Sequence, residues 1–226
     1  MAQSILPKNE AEFKEVVYAV AKTLVALIEE KDPFLRKHSE RVASNCANFC
    51  EEFKVVGNGD IETIFYAGLL HDIGIVALPS DLYHKTDPLT DEEMIRIKKH
   101  PVSGEKVLSN LDFLEDVLPI VRHHHEAFDG SGYPDNLNGE NIPLGARVLG
   151  LFNYLDNLVF PRNSDKALSI EDALVEINGK AGQLFDQDLI QNFVAFAESN
   201  AGISDDYMQK RQANTCLLYT STSPRD

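Results

Sequence analysis

An all-α helical bundle is the fold class this sequence predicts, and three observations predict it. Apolar residues recur at three- and four-residue steps through most of the chain. No pair of strand-like segments appears, and neither does a βαβ alternation or an internal repeat. With 226 residues, 43% hydrophobic and 25% charged, the chain can bury one compact core.

Along residues 10–30, Phe13, Val16, Val17, Val20, Leu24, Leu27 and Ile28 share a helical face. Asp32-Pro33 ends that helix and opens the next, because proline suits a first helical turn. The second helix carries Leu35, His38, Val42, Cys46, Phe49 and Phe53 on or near one stripe. Residues 57–60 read as a turn, and residues 61–71 as a helix. Thr90 with Glu93 forms a capping box for a short helix that Pro101 is expected to break. Residues 114–125 read as one helix with Pro119 as a kink. Six Gly and Pro residues between 130 and 145 predict an ordered loop. Helices resume over residues 144–158, 169–180 (Ser169 as N-cap) and 186–199.

Residues 1–31 are therefore expected to form an amphipathic helix packed on the domain, and residues 32–201 the domain itself. The apolar stripe of the first helix also offers a face through which two copies could pair. Residues 202–226 lose the periodicity and read as a disordered tail whose last ten residues, LLYTSTSPRD, are foreign to the fold.

Lys+Arg 21 against Asp+Glu 36 leaves a net charge of −15, which argues against a nucleic-acid polymer or an anionic membrane as partner. Three cysteines make no disulfide framework, and Cys46 and Cys50 are expected as small core residues. The N-terminus lacks a secretion-signal pattern, and the most apolar stretch is too short to span a bilayer, so a cytoplasmic protein is expected.

All seven histidines fall between His38 and His125. His38 lies on an apolar stripe, which is costly unless its nitrogens have partners. His71-Asp72 closes a helix, His100 precedes a proline, and His124-His125 leads into the glycine-rich loop. Five imidazoles and a carboxylate at helix ends are what a metal centre in a bundle uses. Such donors suit iron, manganese, zinc, nickel or cobalt. Six are too many for one catalytic ion and fit two sharing a water-derived ligand. His84 and His123 are expected near the surface or beside the ligands.

The order of these histidines, the HD pair and the string HHHEAFDGSGYP over His123–Pro134 resemble the HD-GYP family. LLHDIGI, KKHPVSGEKVL, NLNGENIPLGARVL and AGQLFDQDL extend the resemblance across residues 32–197. The resemblance implies an all-α, metal-dependent phosphodiesterase that opens cyclic di-GMP or a related cyclic dinucleotide. It implies two divalent ions, iron or manganese first, held by His38, His71, Asp72, His100, His124 and His125, with Asp72 as the bridging carboxylate and His71-Asp72 central to catalysis. It assigns Tyr133, Gly132 and Arg162 to the substrate, and Glu126 and Asp129 to supporting hydrogen bonds that fix imidazoles and hold the loop.

Four positions depart from the family pattern. Ile75 replaces a lysine. Asn153 replaces a metal-binding aspartate, leaving a neutral and poorer ligand. Asp165 stands where a basic residue is usual, and Phe34 replaces a carboxylate found when a third ion is bound. Two readings stay open at this point: a phosphodiesterase, weakened by these changes, or a catalytically silent module that binds nucleotide or a protein partner in signalling.

Overall fold

The computed structural model describes residue 7 and residues 9–85, 87–162 and 166–199. The expected tail and Asp165 lie outside the described residues. The elements are α1 (Glu10–Lys31), α2 (Pro33–Phe53), α3 (Asn58–Leu70), α4 (Ser80–Tyr83), α5 (Asp91–Ile97), α6 (His100–Leu108), α7 (Leu118–His123), α8 (Leu144–Val159), α9 (Ile170–Asn178) and α10 (Gln187–Ser199). Short 3-10 turns cover Ile73–Ala77, Asp112–Val117 and Gly139–Asn141. One isolated bridge, Ala181 to Phe185, is the sole β pairing among the described residues.

Local chemistry sets the boundaries. The Asp32 side chain accepts from the Phe34 amide and caps α2, with Pro33 at its first position. At Thr90 both halves of the capping box form: the Glu93 amide donates to Thr90 Oγ1, and the Thr90 amide to Glu93 Oε2. Pro101 and Pro119 depart from expectation. Each sits in the first turn of a helix, α6 and α7, where its missing N–H costs nothing. Pro101 therefore starts a helix, and Pro119 follows a 3-10 turn rather than kinking a long helix. Helix α3 begins three residues earlier than expected, at Asn58.

Helix α2 lies at the centre, packed against α3, α1 and α8. The core runs through Phe49, Phe65, Phe152, Phe193 and Phe196, with Cys46 and Cys50 buried and free among them. Helix α1 packs on α2 and α3, but through a face rotated from the expected one. Val17, Tyr18, Ala21, Val25 and Ile28 are buried, whereas Phe13, Val16 and Leu27 are 42%, 42% and 55% exposed. Ala21 and Tyr18 pack as well as larger aliphatics where helices approach closely, so apolarity alone misplaced the stripe. Among the described residues, no helix is long and apolar enough to cross a membrane.

Candidate metal centre

Three of the histidines are oriented by the ends of the helices that precede them. The last carbonyls of a helix lack intrahelical partners, and a histidine just beyond can donate to one of them. His71 Nδ1 donates to the Gly68 carbonyl (2.8 Å), His100 Nδ1 to Ile97 (2.9 Å) and His124 Nδ1 to Val121 (2.7 Å). His38, in the middle of α2, donates Nδ1 to Asp156 Oδ2 of α8 at 2.6 Å. A carbonyl or an ionised carboxylate can only accept, so all four rings carry a proton on Nδ1 and turn Nε2 inward, where a neutral ring offers its lone pair.

Those nitrogens meet. His38 Nε2 lies 3.2 Å from His71 Nε2, and His100 Nε2 lies 3.3 Å from His124 Nε2. Asp72 stands between the two pairs: Oδ2 is 3.3 Å from His71 Nε2 and 3.9 Å from His38 Nε2, while Oδ1 is 3.3 Å from His100 Nε2. Two donor sets result, His38–His71–Asp72 and His100–His124–His125, each with ligand atoms within 4.8 Å of one another. Lone pairs that face each other at this distance repel unless positive charge sits between them. The donor chemistry therefore fits a pair of cations.

The electrostatics agree. Burial opposes ionisation of Asp72, yet His71, His100 and His38 outweigh it and hold the carboxyl well below its ordinary range. Burial also lowers the His71 ring, but Asp72 beside it carries the net shift upward. In the second set, burial pushes His100 down, His124 well down, and His125 to about 3, with neighbouring imidazoles adding to the fall. These three rings are neutral at physiological pH, as metal ligation requires.

A pH dependence follows from the sign of these shifts. Unfolded histidine binds a proton near pH 6.5, whereas the folded second set does not. Its contribution to stability is complete above that pH and is lost as the pH falls. His71 opposes with the reverse sign, but it is one ring against three. The melting temperature of chelator-treated protein is expected to fall between about pH 7 and 4.5. A flat or rising profile in a thermal-shift scan would contradict this.

The remaining expected residues fall in several places. Glu126 accepts the backbone amides of Asp135 (2.7 Å) and Leu137 (3.1 Å), and Asp129 accepts that of Ser131 (2.9 Å). Both hold the loop, but the rings of His71, His100 and His124 are fixed by backbone carbonyls and that of His38 by Asp156, which for these four corrects the expected role. A carbonyl three residues back is already in place, so no carboxylate is needed. Tyr133 stacks on the His125 ring at 4.8 Å and 22°. A Cβ at Gly132 would run into the Glu126–Ala127 backbone, so glycine lets the loop close over the histidines. Arg162 pairs with Asp32 and the Tyr83 hydroxyl, its guanidinium 4.3 Å from the Tyr83 ring and 5.8 Å from that of Phe34. Phe34 in turn stacks on His38. Asn153 lines a cavity of about 160 Å³ with His124 and His125. Ile75 is buried in the core. His123 bonds Asp135 at the surface, and His84 contacts the Tyr83 ring.

Three residues escaped the sequence reading. Asp156 fixes His38 and is itself gripped by Arg41 through two hydrogen bonds of 2.7 and 2.8 Å. Its signal was its spacing, three residues after Asn153 on the inward face of α8. Lys98 holds its ammonium 5.2 Å above the Tyr133 ring, two residues before His100. Asp156→Ala would leave Arg41 and His38 without their partner. It is expected to cost about 3–5 kcal/mol in urea denaturation and to weaken metal binding about 10–100-fold.

Comparison with known proteins decides the family. The HD-domain family matches residues 22–189, most of the chain. The chain belongs to the HD-domain family. Its HHHEAFDGSGYP string marks it as an HD-GYP member. A curated relative of this HD-GYP chain, the cyclic di-GMP phosphodiesterase response regulator RpfG of Xanthomonas campestris, is 34% identical over 180 residues, covering 79% of this chain and 47% of the relative. A cyclic di-GMP phosphodiesterase of Thermotoga maritima is 29% identical over 206 residues, covering 90% and 55%. The chain thus spans about half the length of these relatives. Among solved structures, Bd1817, a HDG"Y"P protein from Bdellovibrio bacteriovorus, superposes with a TM-score of 0.61 at 18% identity over 84% of this chain and 61% of that one, a likeness of fold.

Proposed function

We propose that this HD-GYP chain is a metal-dependent phosphodiesterase acting on cyclic di-GMP or a related cyclic dinucleotide. One observation carries the reading: two pairs of inward-facing Nε2 atoms are bridged by the single carboxylate Asp72. His38 and His71 would hold one ion and His100, His124 and His125 the other, with Asp72 shared. The mixed imidazole–carboxylate donors suit iron, manganese, zinc, nickel or cobalt, and the family resemblance puts iron or manganese first. Two such ions, when bound, lower the pKa of a water and neutralise charge developing on phosphoryl oxygens.

The chain supplies the rest. The Nδ1 hydrogen bonds keep the imidazoles aimed, so little reorganisation is needed during reaction. Tyr133, stacked on His125, forms a wall beside the centre, and Lys98 above its ring brings a positive charge to that wall. Gly132 and Glu126 hold that wall in place. Arg162 can reach a second phosphate on leaving Asp32. Hydrolysis adds water oxygen to phosphorus and releases the bridging sugar oxygen with a proton, and no side-chain nucleophile is required.

The test is turnover of cyclic di-GMP, and of a mixed guanine–adenine cyclic dinucleotide, by protein loaded anaerobically with iron(II) or manganese(II). Linear dinucleotide or mononucleotide product is expected. Metal and nucleotide bound without turnover would instead establish the second reading, a silent binding module, which the Arg162–Asp32 pairing favours.

A further inference from the structure

Helix α8 passes the metal centre along one side. A Cβ at Gly150 would lie 3.3 Å from the His124 carbonyl, Asn153 lines the cavity with His124 and His125, and Asp156 holds His38. Asn153 is the one of these without an assigned task, and it is 6% exposed. Its partner is Asn157, one turn on, whose Nδ2 lies 2.9 Å from the Asn153 backbone carbonyl and 2.9 Å from its side-chain oxygen.

The first of these contacts fixes the second. A backbone carbonyl can only accept, so the end of Asn157 that faces it must be the amino end. That same amino group then demands an acceptor from the Asn153 side chain, which turns Oδ1 along the helix towards Asn157. Asn157 lines the same cavity, and with Oδ1 engaged by Asn157 the free polar end of Asn153 is its NH₂, with two donors and no lone pair for a cation. No protein acceptor for that NH₂ is found among the described residues.

We propose that Asn153 is not a ligand to metal but a hydrogen-bond donor to a phosphate oxyanion held at the metal centre, and that Asn157 positions it for this role. The proposal rests on the two-cation reading of the site. It makes one neutral substitution serve opposite chemistry: an aspartate here would face a cation, whereas this amide faces the anion that the cations attract. The centre is then complete with His38, His71, Asp72, His100, His124 and His125 as its protein ligands.

The full chain, loaded with manganese(II), would be measured for metal content by elemental analysis and for inorganic phosphate affinity by calorimetry. Asn153→Leu, similar in volume, is expected to keep the wild-type manganese content and to lose about tenfold in phosphate affinity. Asn157→Ala, at an exposed helical position, frees the Asn153 oxygen to turn inward; it is expected to bind manganese more tightly and phosphate more weakly. Loss of manganese in Asn153→Leu, or phosphate affinity equal to wild type in that variant, would overturn the proposal, as would unchanged manganese and phosphate affinities in Asn157→Ala. Should Asn153→Leu fail to fold, the Asn157→Ala result alone decides. Wild-type protein with fewer than two ions per chain would contradict the two-cation reading instead, while the comparison of phosphate affinities at equal metal content still decides the role of Asn153.

Discussion

Asp72→Asn will strip the protein of bound metal and lower phosphodiester hydrolysis by on the order of 10³-fold or more. The side chain keeps its volume, but its amide offers one oxygen where the carboxylate offered two, and no charge. Asp72 is the only carboxylate among the described residues that reaches both donor sets, through Oδ2 to His71 and His38 and through Oδ1 to His100. Its ionised form is also what the surrounding imidazoles stabilise. Elemental analysis and a turnover assay check this together. A variant with wild-type metal content and rate would remove Asp72 from the centre.

Gly74→Ala is expected to be among the most destabilising single-methyl additions in the chain, at about 3 kcal/mol or more. The cause is contact rather than backbone conformation. A Cβ at Gly74 would collide with the His100 carbonyl and approach the Gly104 amide to 2.6 Å. The turn after Asp72 and the first turn of α6 are pressed backbone to backbone there. Neither side can give without moving Asp72 away from His100 Nε2. Loss of stability in urea denaturation should therefore be accompanied by weakened metal binding. A variant as stable as wild type would show that the two segments are not so closely packed.

The fold class and most helices were legible because their signals are local: the Asp32-Pro33 junction, the Thr90–Glu93 box and the Ser169 cap each act within a few residues. The prolines were misread for want of context. Pro101 and Pro119 look like breakers until the preceding segment is known to have ended already. The face of α1 was misjudged because burial at Ala21 and Tyr18 depends on how closely α2 and α3 approach, which periodicity does not encode.

At the site, the imidazoles and Asp72 stood out through their order and their grouping between His38 and His125, which no single histidine would reveal, and the structure brings them together. What holds them was hidden. The carbonyls of Gly68, Ile97 and Val121 leave no mark in a sequence, since every residue has one. Asp156 and Arg41 are separated by 115 positions, and a lone acid on a helix has many ordinary explanations. Arg162 was expected at substrate phosphate. Its pairing with Asp32 depends on the chain after α8 returning to the α1–α2 junction, which no local pattern announces.

The most direct measurement is electron paramagnetic resonance of anaerobically purified protein titrated with manganese(II). Two ions per chain with an exchange-coupled signal are the outcome this geometry requires, because one carboxylate, Asp72, touches both sets of nitrogens. A single uncoupled ion, or none retained after gel filtration, would mean that the facing Nε2 atoms are satisfied by protons alone and that the centre is not built for catalysis.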